Sequence, residues 1–181
     1  MLGPYAWVPP NYWSDPVAKE MYGGPNGFAT EISPGAAPMT SESWAKTTSG
    51  SGQEWCPSHG GAFSDVWNYH CGNEHGIFKD LSYFTPSLDL RYGGNFSNGI
   101  KNEGERCEVS SSVEAVPGED LDVFLAKSQL ASYESHRAMF EAYSGSKYNS
   151  TGVIQWMLNN GHPQHIWHLF DWFLDGGGSY L

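Results

Sequence analysis

The chain has 181 residues, a formal net charge of −11 and 15% aromatic residues. Such acidity excludes a nucleic-acid binder, which needs basic patches to neutralise phosphates. The length suits one domain with a sizeable core but falls short of the about 250 residues of a complete eight-stranded β/α barrel.

Residues 1–27 are rich in Pro, Gly and aromatics, as in Val8-Pro9-Pro10 and Gly23-Gly24-Pro25, and read as ordered loop punctuated by turns. Phe28-Ala29-Thr30-Glu31-Ile32 is a short apolar run bounded by Gly27 and Ser33-Pro34-Gly35, the pattern of a buried strand. Residues 36–60 contain the polar stretch Thr47 to Gly52 and read as a surface loop. Residues 62–90 read as irregular structure with short helical pieces, and 93–118 as loop. The clearest helix is 119–143, where Glu119, Asp120 and Asp122 load the first turn with negative charge. Leu121, Phe124, Leu125, Ala131, Ala138, Met139 and Ala142 recur there near helical spacing, and Ser128, Ser132 and Ser135 make one flank small. A second buried strand is expected at 152–158 and an apolar helix at 165–174, stopped by Gly176-Gly177-Gly178. The order strand, long excursion, helix, strand, helix predicts an α/β fold with parallel strands. Two strands make no stable sheet of their own, so the pattern is expected to be a portion of a larger barrel.

Glu31 is the sharpest chemical signal. A carboxylate in an apolar strand is costly unless paired or functional. Retaining glycoside hydrolysis needs two carboxylates about 5 Å apart, one of them an ionised nucleophile facing the substrate. The C-terminal end of a barrel strand presents a side chain in that way. Eight Trp and ten Tyr fit a site that stacks sugar rings, since these side chains have apolar faces and polar tips.

Cys56, Cys71 and Cys107 leave three pairings open, with one thiol over. Cys56-x-x-His59 and His70-Cys71 offer zinc-ligand types, but their spacing matches no familiar metal motif, so neither metal nor cofactor is expected. The sequons Asn95-Phe96-Ser97 and Asn149-Ser150-Thr151 permit N-glycosylation in a secretory compartment. No apolar run is long enough to span a bilayer, so no membrane partner is expected. Met1-Leu2-Gly3-Pro4-Tyr5 lacks the basic start of a signal peptide.

The stretch Gly24 to Gly35 resembles the nucleophile segment of glycoside hydrolase family 2, and more closely its exo-β-D-glucosaminidase branch. Three further segments agree in order: Pro4 to Trp13, Asp65 to His70, and Ala131-Ser132-Tyr133 through Leu158-Asn159-Asn160. The resemblance implies the C-terminal portion of a (β/α)8 TIM barrel, about two barrel strands with helices and long loops, over residues 1–181. Upstream strands and flanking β-sandwich domains are then missing from the chain. It also implies that Glu31, ending the seventh barrel strand, is the nucleophile, that Trp156 lies near the floor of the sugar subsite, and that Trp67 and His70 line the cleft. In the family the general acid lies well upstream of the nucleophile, where this sequence has no match, so the chain alone is expected to be inactive. The implied parent is a secreted exo-acting hydrolase that cleaves β-linked glucosamine from chitosan oligosaccharides. A β-mannosidase of the same family and a non-catalytic carbohydrate-binding module are the alternatives.

Overall fold

The computed structural model describes residues 4–48, 69–70, 80–94 and 118–181. Trp67, Cys56, Cys71, Cys107 and Asn95 lie outside the described residues, as does most of the expected loop at 93–118.

The first 27 residues hold more regular structure than a run of turns. A 3₁₀ turn spans Pro10–Trp13, and helix α1 follows at Pro16–Tyr22. Asp15 caps α1: its Oδ1 accepts from the N–H of Val17 at 2.8 Å and of Ala18 at 3.2 Å. Pro16 needs no N–H partner at the first helical position.

Strand β1 runs Gly27–Ile32 and strand β2 runs Ser150–Gln155, paired in parallel. The expected strand at 152–158 therefore begins two residues earlier and stops at Gln155. Neither strand is buried throughout. One sheet face packs on helix, whereas Phe28 and Ile154 are 55% and 50% exposed. The apolar runs that suggested burial on both sides thus have cover on one side within the described residues.

The register is broken twice. Between Gly27 and Phe28 the extra residue belongs to β2; between Ala29 and Ile32 it belongs to β1, which takes three steps against two from Val153 to Gln155. Strict alternation would send Ala29 and Ile32 to opposite faces. The second bulge resets the alternation, and both join one core cluster.

Helix α2 occupies Ser41–Thr48, inside the stretch expected to be loop. Thr40 starts it by accepting the Ser43 N–H on its hydroxyl at 3.3 Å. Only Ser43 and Trp44 of α2 are buried, so its apolar signal is faint. Helix α3 spans Asp80–Tyr92, longer than the short pieces expected there, and tolerates Pro86 within it.

Helix α4 spans Gly118–Gly145, as its periodicity predicted, and joins two cores. Phe124, Leu125 and Ala131 pack with Ala36, Met39, Trp44, Leu81, Phe84 and Leu88. Two to three turns on, Met139 and Tyr143 pack with Tyr12, Trp13 and Ile32 beneath the sheet. The small flank lets loop backbone come close: Ser132 Oγ donates to the Ala36 carbonyl at 3.0 Å, and Gln129 Nε2 to that of Pro38 at 2.6 Å.

The helix expected at 165–174 does not form. The backbone groups there are spent on distant partners. The Trp167 and His165 carbonyls accept from Met157 and Ala37, and the Leu169 and Phe170 N–H groups donate to Met157 and Leu158. Trp167 and Leu174 also take left-handed φ values of 60° and 62°, which no right-handed helix admits. The apolar pattern reports burial of an irregular segment rather than a helical face.

Candidate active site

Glu31 sits in the bulged C-terminal end of β1 and is partly buried. Its neighbour in space is Tyr5, whose phenol lies within reach of the Glu31 carboxylate. Burial, then this polar contact and the carboxylate charge, raise the Tyr5 phenol above its ordinary value. Tyr5 therefore stays protonated and able to donate throughout the physiological range.

Two further contacts hold Tyr5 in place. The Ser33 N–H donates to the Pro4 carbonyl at 3.1 Å, pinning the segment to the end of β1. The Trp167 indole N–H donates to the Tyr5 carbonyl at 2.7 Å, and its ring stands edge-on to the Tyr5 ring with centroids 5.9 Å apart. A left-handed non-glycine residue costs of order 1–3 kcal/mol and persists only where its surroundings over-determine it. At Trp167 those surroundings are this donor bond, the ring contact, and a carbonyl that accepts from Met157 N–H at 2.7 Å and Gln155 Nε2 at 3.3 Å.

Trp156 directly follows β2, and its N–H donates at 2.9 Å to the carbonyl of Ile32, the residue after Glu31. Its side chain is 40% exposed at the same end of the sheet. Gln155 fixes this end: its Nε2 donates to Ser33 Oγ, the Trp156 carbonyl and the Trp167 carbonyl. The structure thus brings Glu31 and Trp156 together and adds Tyr5, Gln155 and Trp167.

His70 belongs to a different neighbourhood. Its Nδ1–H donates to the Pro163 carbonyl at 2.7 Å, its own carbonyl accepts from His165 N–H, and its ring stands edge-on to Trp44 and Tyr69. Beside it lie three buried histidines. His136 Nδ1–H donates to the Ser132 carbonyl at 2.8 Å, His165 Nδ1 accepts from Met39 N–H at 3.2 Å, and His168 Nδ1 meets the Asn160 amide at 2.7 Å.

Burial, partly opposed by the Ser132 carbonyl, pushes His136 down to about 4. Burial and the nearby His136 push His168 down to about 4 as well. Burial, then His168 and His70, lower His165 well below its ordinary value. An unfolded histidine takes its proton near pH 6.5 while these folded ones refuse it. Stability should be level above about pH 6.5 and fall as the pH drops towards 4, by up to about 1.4 kcal/mol per pH unit for each group. Urea melts at pH 7, 5 and 4 test this, and His136→Leu should flatten the dependence. A midpoint indifferent to pH would contradict the neutral cluster.

Among the described residues, no group of three or more His, Cys, Asp or Glu side chains is arranged to hold a metal ion. No described helix is long and apolar enough to cross a membrane.

No protein-family profile matches the chain. Curated relatives do. The exo-β-D-glucosaminidase of Streptomyces avermitilis is 32% identical over 185 residues, covering 100% of this chain and 17% of that enzyme. That of Hypocrea jecorina is 29% identical over 191 residues, covering 100% and 18%. The crystal structure of the Amycolatopsis orientalis exo-chitosanase is 30% identical and superposes with a TM-score of 0.64, covering 99% of this chain and 18% of that one. Over nearly its whole length the chain is homologous to one segment of exo-β-D-glucosaminidases. It spans under a fifth of the length of these exo-β-D-glucosaminidases. A Glu-to-Ala variant of the Amycolatopsis exo-β-D-glucosaminidase forms a complex with PNP-β-D-glucosamine.

Proposed function

We propose that these residues supply the nucleophile side of the active site of a retaining, exo-acting glycoside hydrolase. The substrate is chitosan or a chitooligosaccharide, cleaved at its non-reducing β-linked glucosamine. The fold is then the C-terminal portion of a β/α barrel of the family 2 type, with β1 and β2 as its seventh and eighth strands. One observation carries the assignment: a carboxylate at the bulged C-terminal end of a parallel strand, within reach of Tyr5 and adjacent to the exposed Trp156.

In the first step the Glu31 carboxylate attacks the anomeric carbon, the glycosidic C–O bond breaks, and a glucosaminyl ester forms on Glu31. A general acid from outside these 181 residues protonates the departing oxygen. In the second step that group, now a base, takes a proton from water, which attacks the anomeric carbon and frees the carboxylate. Tyr5 orients Glu31, and Trp156 offers an apolar face to the sugar ring.

The test is to trap the ester. The longest natural polypeptide carrying this segment would be incubated with 5-fluoro-β-D-glucosaminyl fluoride, which keeps the 2-amino group, and mapped by mass spectrometry. A label on Glu31 is expected. A label on another carboxylate of an enzyme that turns over would overturn the assignment. Faster labelling by the manno-configured reagent would replace glucosamine by mannose.

Secretion belongs to the same proposal. Asn149 is exposed in the turn before β2, and Thr151 two residues on is exposed too. Routed through a yeast secretory pathway, the protein should gain an endoglycosidase-sensitive mass increment that Asn149→Gln removes. An unmodified Asn149 in that host would withdraw this support for secretion.

A further inference from the structure

We infer that Trp167 is a positioning residue that acts on the nucleophile through Tyr5, a role that rests on Glu31 being the nucleophile. Three independent features meet at this residue. Its backbone takes φ of +60°, which glycine adopts freely and tryptophan does not. Its indole N–H spends its single donor on the carbonyl of Tyr5 at 2.7 Å, 162 residues away in sequence. Its own carbonyl accepts from Met157 N–H and Gln155 Nε2, tying it to the segment that follows β2.

The consequence is a relay of position. Glu31 lies within reach of the Tyr5 hydroxyl. The phenol reaches Glu31 only if the Tyr5 main chain and ring are held, and Trp167 contacts both. Core packing alone gives no reason for the indole rather than another large ring, because only the indole carries this N–H. It gives no reason for the left-handed backbone either, which turns the ring towards Tyr5 instead of continuing the segment.

A merely structural tryptophan and a positioning one differ in a double-mutant cycle on the longest natural polypeptide carrying this segment. Tyr5→Phe and Trp167→Phe should each lower kcat about ten- to a hundredfold, the scale of an ångström of misplacement, with KM within about twofold. The double variant should be no slower than Tyr5→Phe alone, because without the hydroxyl its position no longer matters. Losses that multiply, or a change confined to KM, would overturn the inference. If Trp167→Phe gives no cooperative melt, the cycle is run with Trp167→His, which retains a ring N–H and should keep more of the wild-type kcat. Trapping with the fluorosugar separates the two levels. Label on Glu31 with multiplicative losses sinks the role of Trp167 alone, whereas label elsewhere sinks the nucleophile assignment itself.

Discussion

In the longest natural polypeptide carrying this segment, Glu31→Gln should lower kcat on an aryl β-glucosaminide by a factor on the order of 10⁴, the scale on which losing one member of a covalent catalytic set is felt. Glutamine keeps the shape and can still accept from Tyr5 but is no nucleophile towards an acetal carbon. The melting temperature should scarcely move, because Glu31 is only partly buried at the strand end. Chemical rescue sharpens the test. In Glu31→Ala, added azide should restore turnover of an activated aryl glycoside and give a glycosyl azide of inverted anomeric configuration. That result requires an anion to fill the place of the carboxylate. Undiminished hydrolysis by Glu31→Gln would return Glu31 to a structural role.

Gly35→Ala should be the most damaging single-methyl change near the site. Gly35 has φ of +118°, and a Cβ there would lie 2.0 Å from the Trp7 Cα and 2.2 Å from its N. Trp7 has nowhere to retreat: its ring abuts Phe84 at 5.9 Å, and its indole N–H reaches the Ala131 carbonyl on α4 at 3.5 Å. Backbone strain and overpacking together should cost about 3–5 kcal/mol, a large share of the 5–15 kcal/mol of a typical domain. Activity should fall further than stability alone predicts, because Tyr5 lies two residues before Trp7. Gly27→Ala is the control. There φ is +62° but nothing lies within 4 Å of the added methyl, so only the backbone cost of about 1–2 kcal/mol remains. Denaturant melts of the two variants should separate clearly; equal midpoints would refute the close approach at Gly35.

The strand carrying Glu31 was legible because Gly27 and Ser33-Pro34 punctuate it and its interior is apolar. Helix α4 was legible because Phe124, Leu125, Ala131 and Met139 keep helical spacing over about four turns. The resemblance to the glucosaminidase segment added what periodicity lacks, a reason to single out one carboxylate. Tyr5 was not legible as its partner. A tyrosine between two turns carries no local signal, and it approaches Glu31 only once Ser33 and Trp167 have folded the N-terminal segment back. The segment 165–174 misled for a related reason. Local pattern reports which residues are buried, but the backbone hydrogen bonds there go to Met157, Leu158 and Ala37. Helix α2 was hidden in the opposite way, since so little of it faces the core.

The pairing of β1 with β2 has a kinetic consequence. Ala29 lies beside Val153, so about 120 residues must be looped out before the first sheet hydrogen bond forms. Closing such a loop costs roughly 2 kcal/mol more in chain entropy than closing one of ten residues. Non-local contacts of this kind slow folding, whereas α4 draws on neighbours in sequence and forms early. Sheet formation should therefore come late in refolding, after the long helix has brought its own C-terminus, and β2 with it, against the core around Ile32. Until then the edges of both strands stand open to other molecules, so refolding yield should drop as protein concentration rises.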